Sequence, residues 1–215
     1  MAKVYLSPSN QVNNTYAWGN TTEAVQCGKI AEACKDALER CGIEVKLGHM
    51  ISMANKCAES NAFGADLHVC IHTNAFNGSV SGTRMFSYDM SGKGYKACKA
   101  IFNVLAPYTP GKSESISAYP ALYEIRVPAA PTAYVEVDFH DVPSVAQWFC
   151  EHTTEIGEKI TEGICNYFGI AYQAPAAPKS DDKIYRVQVG AYKVRANAEA
   201  MLAKLKAAGF EGYIK

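Results

Sequence analysis

The chain has 215 residues, of which 48% are hydrophobic and 20% charged, and its 21 basic residues balance its 21 acidic ones. This length suits one medium-sized domain with a small additional unit. A net charge of zero argues against nucleic acid as a partner, because proteins bind nucleic acid largely through a basic surface. No run of about 18 apolar residues is present to cross a bilayer, so we also expect no membrane partner.

The N-terminal sequence enters a strand-like run directly, without the apolar core and small-residue cleavage site of a signal peptide. We therefore expect synthesis in the cytoplasm without a signal peptide. The eight cysteines suit that compartment, because they form neither a Cys-x-x-Cys pair nor a zinc-finger spacing. We expect them to be small buried side chains with free thiols.

Apolar periodicity alternates between strand-like and helix-like segments over the first 170 residues. The predicted strands are 3–7, 43–47, 66–72, 83–88, 122–125 and 132–139. The predicted helices are 21–41, with Asn20 as N-cap and Gly42 at C′, then 51–62, 92–106 and 142–168, while the Pro- and Ser-rich residues 107–120 read as a loop. This order predicts an α/β fold with three layers, in which helices flank a twisted, mostly parallel sheet.

A change of composition follows residue 171. We expect residues 1–171 to form the main domain, and 172–183, rich in Pro and Ala and then charged, to be a linker. For the remaining residues 184–215, the sequence pattern predicts a small β-α-β half-domain, with strands at 184–189 and 212–215 and a helix at 195–208 between them. One such unit is too small to bury a core alone, so we expect it to need a partner.

Two histidines lie on one predicted strand. His72 ends that strand, at the carboxyl edge where α/β sheets bind ligands, and Asn74 follows it closely. It suits either a metal ligand or a hydrogen-bonded structural histidine. His68 lies four residues deeper on the same face, which is more typical of a structural role.

Two carboxylates are further candidates. Glu23 follows Asn20 by three residues and therefore suits a capping box as well as a functional role. Glu136 lies within an otherwise apolar strand, where a carboxylate is costly unless it is paired, metal-bound or catalytic. His140 and Asp141, at the end of that strand, suit ligands, orienting residues or surface residues.

These residues occur in motifs whose order resembles the zinc amidases of the Amidase_3 family, the N-acetylmuramoyl-L-alanine amidases. The motifs are Val4–Pro8, Thr22-Glu23, Ala65–Ala75, Ser81–Thr83 and Val135–Phe139, and the resemblance covers about residues 3–170. In that family a His after the first strand, a Glu at the start of the first helix and a His before Asn-Ala hold the metal, and a late Glu is the catalytic base. The resemblance implies that Glu23 and His72 bind Zn²⁺ and that Glu136 is the base.

The first ligand departs from the family pattern. Where the family has Pro-Gly-His-Gly, this chain has Pro8-Ser9-Asn10-Gln11, so Asn10 stands at the histidine position. Catalytic zinc usually has three protein ligands from His, Cys and carboxylates, and an amide oxygen is weaker. Either Asn10 ligates or orients a water, or His140 takes its place, or the metal is lost.

The resemblance implies a peptidoglycan hydrolase that cleaves the amide bond between N-acetylmuramic acid and L-alanine with zinc-activated water. Asn74 would contact substrate and Arg126 would grip a stem-peptide carboxylate, with loop capping and a surface ion pair as their alternatives. The alternative functions are an inactive wall-binding protein on the same scaffold and a zinc peptidase for another amide. Without a signal peptide, such an enzyme would reach the wall through a holin, as a phage endolysin does, or at lysis, as an autolysin.

The C-terminal segment 184–215 resembles the first half of a SPOR domain. The residues that carry this resemblance are Tyr185–Tyr192, Ala196–Ala200, Leu205 and Ala208–Phe210. SPOR domains bind septal glycan stripped of stem peptides, and each has two such halves. The resemblance therefore implies a homodimer in which two chains pair their half repeats on bacterial peptidoglycan.

Overall fold

The computed structural model describes residues 1–176 and 185–215. Part of the predicted linker 172–183, together with Ile184, lies outside the described residues. The chain divides into two compact units, Met1–Pro175 and Ala176–Lys215.

The first unit contains a six-stranded sheet and six helices. Its strands are β1 (Lys3–Pro8), β2 (Glu44–Leu47), β3 (Leu67–Asn74), β4 (Arg84–Ser87), β5 (Ser115–Ala118) and β6 (Thr132–Phe139). Its helices are α1 (Glu23–Arg40), α2 (Met53–Phe63), α3 (Lys93–Leu105), α4 (Tyr123–Arg126), α5 (Pro143–Glu151) and α6 (Thr153–Phe168).

The strand order in the sheet is β2-β1-β3-β6-β4-β5. Strands β2, β1, β3 and β6 run parallel to one another, β4 runs antiparallel to β6, and β5 is parallel to β4. The α/β fold with a mostly parallel sheet between helices is thus confirmed. Because β1, β3 and β6 are parallel, their carboxyl ends meet at one edge of the sheet.

The two faces of the sheet differ in chemistry. One face carries buried aliphatic side chains, such as Leu6, Val69 and Val135, which belong to the hydrophobic core. Helices α1, α3 and α6 pack together and enclose that core. Since strand side chains alternate between faces, the other face takes the intervening residues, among them His72 and Glu136. The fold therefore places its polar side chains on the face opposite the main core.

Helix α1 begins two residues later than its capping signals indicate. Its N-cap is Thr22, which makes no side-chain capping bond, and Asn20 adopts φ +47° in the preceding loop. The predicted Asn20 cap is therefore wrong, because the loop places Glu23 N–H against the carbonyl of Asn14, at 2.8 Å. The C-terminal prediction is confirmed: Gly42 follows the helix at φ +76°, a conformation that favours glycine.

Three other elements differ from the sequence pattern. The predicted strand 122–125 is instead the short helix α4, and the predicted loop 107–120 contains β5, which pairs with β4 at the edge of the sheet. The predicted helix 142–168 is interrupted at His152, whose Nδ1 lies 2.8 Å from the carbonyl of Trp148. Short apolar runs do not separate strand from helix, and tertiary contacts decide between them.

The second unit contains helix α7 (Arg195–Ala207), close to its predicted bounds. Residues 185–189 and 212–215 form no strand, in contrast to the prediction, because no neighbouring strand within the described unit supplies backbone partners. No residue of α7 is buried, and large apolar side chains such as Val187, Phe210 and Tyr213 are exposed. Among the helices of the described chain, none is long and apolar enough to cross a membrane.

Close contact between α3 and α6 generates a stability prediction. A Cβ atom at Gly163 would lie 2.4 Å from the Cα of Ile101, and backbone cannot move aside as a side chain can. Gly163→Ala should therefore destabilise the first unit by about 1–3 kcal/mol, the usual effect of overpacking. Urea unfolding monitored by circular dichroism measures this. Glu162→Ala, on the adjacent residue, is the control and should change stability by less than about 0.5 kcal/mol; equal stability of the two variants would refute the close packing.

Candidate active site

Glu23 and His72 meet although 49 residues separate them in the chain. The Oε1 atom of Glu23 lies 2.9 Å from Nδ1 of His72, and both side chains are buried, with 1% and 6% of the residue exposed. Helix α1 delivers Glu23 from its first turn, and β3 delivers His72 from its carboxyl end. The structure thus gives Glu23 a contact with His72 in place of the capping box that its spacing also allowed.

Hydrogen bonds hold the Glu23 carboxylate in its charged form. Burial alone would raise its pKa, but bonds from His72, Asn14 and Ser9, together with the charge of His72, lower the pKa below its ordinary value. The amide of Asn14 donates to Oε2 at 2.9 Å, which leaves Oε1 directed at His72. Asn14 was not singled out from the sequence, because a polar residue in a loop carries no spacing signal.

Glu136 stands beside His72 through the pairing of β3 with β6, in which these two residues are direct partners. Its Oε2 atom is buried and has no hydrogen-bond partner, and the same is true of His72 Nε2. Burial raises the pKa of Glu136 to about 7, with His72 opposing the shift and Glu23 adding to it. A carboxylate with a pKa near neutrality is suited to accept and release protons.

The remaining candidate ligands sit differently. The Asn10 side chain donates through Nδ2 to the carbonyl of Ile51, at 2.8 Å, which turns its amide oxygen to the other side. His140 is buried and stacks on Tyr16, and its Nδ1 lies 2.9 Å from the hydroxyl of Thr73. Within residues 1–176 and 185–215, no group of three His, Cys, Asp or Glu side chains that includes Glu23 and His72 lies close enough together to hold a metal ion.

The predicted substrate contacts lie at different distances from this centre. Asn74 caps its own turn, since its Oδ1 accepts from the backbone N–H of Ala75 at 2.8 Å. Arg126 is exposed and lines a pocket with Thr132, at the opposite end of β6 from His140. Four residues of strand, about 13 Å, separate Thr132 from Glu136. The structure does not bring Arg126 to the centre, and both substrate roles stay predictions.

Arg84 was not recognised in the sequence but borders the site. It is the β4 partner of Glu136, and its guanidinium lies over the ring of Phe139, 5.6 Å from the centroid. One nitrogen, Nη2, donates to Ser113 at 2.9 Å, whereas Nη1 is buried without a partner. A single arginine at a strand end gives no sequence signal, because only the antiparallel pairing with β6 brings it near Glu136.

Two aspartates order the loops around the centre. Asp138 accepts hydrogen bonds from the backbone N–H groups of Gly82 and Gly111, at 2.6 and 3.0 Å. Asp141 accepts from the N–H groups of Phe76 and Gly78, at 2.9 and 2.8 Å, and thereby fixes the loop that follows β3. Asp141 therefore orders this loop, and a role for it at the metal stays a prediction.

The geometry of Glu23 and His72 is compatible with a divalent metal ion. Zinc binds nitrogen and oxygen at about 2.0–2.2 Å in tetrahedral geometry, so two of its ligand atoms lie about 3.3 Å apart. The observed 2.9 Å between Glu23 Oε1 and His72 Nδ1 is close to that value. The charge of Glu23 and the buried position of the pair also suit a cation.

The raised pKa of Glu136 has a consequence for stability. The pKa of Glu136 is about 7 in the folded protein and 4.5 in the unfolded chain. Above pH 7, ionisation of Glu136 therefore destabilises the native state by about 3 kcal/mol. Below pH 4.5 the carboxyl is protonated in both states, and this destabilisation disappears. In the presence of a chelator, the Glu136→Gln variant should therefore be more stable than the wild type at pH 8, and the two proteins should be equally stable at pH 4.5. Urea unfolding across this range tests it; an equal difference at both pH values would contradict the shift.

Comparisons with known proteins identify the family of this chain. The profile of the N-acetylmuramoyl-L-alanine amidase family, Amidase_3, matches residues 9–166, and that of the SPOR domain matches 168–215. The sporulation-specific N-acetylmuramoyl-L-alanine amidase of Bacillus subtilis (strain 168) is 24% identical over 221 residues, which cover all of this chain and 84% of the relative.

Solved structures share the fold. N-acetylmuramoyl-L-alanine amidase AmiC2 of Nostoc punctiforme superposes with a TM-score of 0.71 at 18% identity, covering 78% of this chain and 97% of that one. The catalytic domain of CwlV from Bacillus (Paenibacillus) polymyxa gives 0.71 at 16% identity, covering 80% and 100%. The chain therefore belongs to the Amidase_3 family of N-acetylmuramoyl-L-alanine amidases, with a SPOR domain beside its peptidoglycan amidase domain.

Proposed function

We propose that the amidase activity of this chain depends on zinc held by Glu23 and His72, with Glu136 as the catalytic base. The observation that supports it is the convergence of three residues from three elements, one of them a carboxylate whose burial raises its pKa to about 7. When bound, zinc lowers the pKa of a coordinated water towards neutrality and polarises the scissile carbonyl.

Glu136 would perform the proton transfers. The bond that breaks joins the lactyl carbonyl carbon of N-acetylmuramic acid to the nitrogen of L-alanine. As the water oxygen adds to that carbon, Oε2 of Glu136, which has no protein partner, accepts the water proton. The same carboxyl then returns the proton to the departing nitrogen, and the products are a muramic acid carboxylate and a peptide with a free amino terminus.

The third protein ligand is proposed to be Asn10, with His140 as the alternative. Asn10 occupies the family's histidine position, and its hydrogen bond to Ile51 leaves its amide oxygen available. His140 is held by Thr73 and Tyr16 and would have to leave these contacts in order to reach Glu23 and His72. A neutral amide ligand is weaker than imidazole, so we expect zinc to bind this site less tightly than a three-residue set with two histidines.

Removal of the base tests the mechanism. Glu136→Gln keeps the size of the side chain but cannot accept a proton, so digestion of purified peptidoglycan should slow by about 10²- to 10⁴-fold. Mass spectrometry of the released peptides identifies the cleaved bond through intact L-alanine amino termini. Asp141→Asn serves as a matched control on the same edge and should retain zinc. Wild-type rates in Glu136→Gln would eliminate this mechanism, and other cleavage products would indicate a zinc peptidase.

Zinc affinity separates the two candidates for the third ligand. Asn10→His should lower the zinc dissociation constant and Asn10→Ala should raise it, whereas His140→Ala should leave it nearly unchanged. Competition with a chromogenic chelator measures all three variants. If only the His140→Ala variant loses zinc, His140 is the third ligand. If the wild-type protein binds no zinc at Glu23 and His72 and digests no peptidoglycan, the chain is a wall-binding protein on an amidase scaffold.

We also propose that two chains pair through their SPOR segments on peptidoglycan. The support is the small size of the second unit and its exposed apolar side chains, including Val189, Tyr192 and Ile214, which a partner would cover. The occupant proposed is a second copy, because the segment resembles half of a two-part domain.

Truncation tests the pairing. Sedimentation velocity should show the full chain as a dimer and residues 1–175 as a monomer, because the truncation removes the apolar segment. A full-chain variant with Phe210→Ser, a change at an exposed side chain, should weaken the dimer without altering the first unit. Equal dimerisation of the truncated and full-length proteins would disprove the proposal.

A further inference from the structure

A second cluster of ligand-type side chains lies on the polar face of the sheet, apart from Glu23 and His72. It consists of His68 and Cys70 from β3 and Glu124 from α4, and one ligand atom from each lies within 4.8 Å of the other two. All three residues are buried, with at most 3% exposed. Among the described residues, no other three His, Cys, Asp or Glu side chains converge this closely.

The imidazole of His68 lacks the hydrogen bonds that burial demands. Both of its ring nitrogens are buried without a partner. Nε2 lies 3.4 Å from Oε1 of Glu124, which is longer than the 2.7–2.9 Å of a charge-assisted hydrogen bond. A buried polar group without a partner is costly, and a bound ion is one of the few explanations for it.

The donor set itself indicates the class of ion. Imidazole, thiolate and carboxylate together suit a borderline divalent transition metal, above all Zn²⁺, and not Mg²⁺ or Ca²⁺, which prefer oxygen alone. Zinc holds its ligands at about 2.0–2.3 Å in tetrahedral geometry, so the ligand atoms of one ion lie about 3.3–3.8 Å apart. The ligand atoms here lie within 4.8 Å of one another, so on binding they would approach one another by at most about 1.5 Å.

Charge and surroundings are compatible with such an ion. One thiolate and one carboxylate neutralise a divalent cation, which a buried site requires. The hydroxyl of Ser7 donates to Oε1 of Glu124 at 2.5 Å and orients that carboxylate from the neighbouring strand β1. Lys56 is buried, its charge lowers the pKa of Glu124, and its ammonium donates to the carbonyl of Pro8.

The cluster is separate from the catalytic centre. On the same strand His68 lies four residues, about 13 Å, from His72, and Cys70 lies two residues, about 7 Å, from it. The cluster is also enclosed by α4, so an ion there would not reach substrate. We propose that His68, Cys70 and Glu124 form a structural site for Zn²⁺ or a similar transition metal, which fastens α4 to β3. On binding, the Cys70 thiol releases its proton to solvent as the metal–sulfur bond forms.

Cobalt substitution distinguishes this site from the catalytic one, whose proposed ligands include no sulfur. Full-length protein stripped of metal and titrated with Co²⁺ should develop a thiolate-to-cobalt charge-transfer band in the near ultraviolet. Cys70→Ala should abolish the band and reduce bound Zn²⁺ by one equivalent per chain. Cys98→Ala, at another buried thiol that bonds the carbonyl of Phe86, is the matched control and should keep both.

Other variants make the result unambiguous. His72→Ala should lose metal from the catalytic site while keeping the thiolate band, so failure of the zinc mechanism and failure of this proposal give different results. Glu124→Gln should weaken the band if Cys70→Ala does not fold. The absence of a thiolate band in wild-type protein at saturating Co²⁺, or a band unchanged in both Cys70→Ala and Glu124→Gln, would overturn the proposal.

Discussion

Parallel pairing of β3 with β6 is the interaction on which the site depends. It makes His72 and Glu136 direct neighbours at the carboxyl edge of the sheet, where β1 also ends. The pairing is secured from the opposite face, since Val69 and Val135 belong to the core enclosed by the helices. A slip of one residue would turn the aliphatic side chains to the polar face and the functional residues into the core. The apolar core therefore sets the geometry of these polar residues.

Burial gives these side chains their chemistry and also costs stability. The pKa of Glu136 rises to about 7 because burial disfavours its charged form, whereas hydrogen bonds and the charge of His72 hold the pKa of Glu23 below its usual value. Two carboxylates near one histidine thus differ in protonation behaviour, the one suited to proton transfer and the other to binding a cation. The surrounding core supplies the free energy that keeps both in place.

The two units differ in how much apolar surface they can bury. The first buries a large core and organises its loops through buried hydrogen bonds, such as those of Asp138. The second has one helix without a buried residue among its described part, as expected for a segment too small to enclose a core. The profile of the SPOR domain, a wall-binding family, matches residues 168–215, which follow the amidase domain in the chain.

The sequence by itself determined the periodic elements and the order of the motifs. Long amphipathic helices such as α1 and alternating strands such as β3 follow from local apolar spacing, and Glu136 was conspicuous because a charge in an apolar strand is rare. From these, the α/β fold and the family were predictable. Local sequence patterns do not identify short elements reliably. The sequence of α4 therefore predicted a strand, and the sequence of the edge strand β5 predicted a loop.

Only the tertiary structure decided which side chains meet. Glu23 could cap a helix or face His72, and the loop that carries Asn14 settled it in favour of His72. Arg126 was predicted to grip a stem-peptide carboxylate, yet it lies at the far end of β6. The sequence predicted a structural role for His68, whereas in the structure the position of α4 places Glu124 next to it. In each case the partner is distant in sequence, and such contacts depend on strand register and helix packing, which local spacing does not encode.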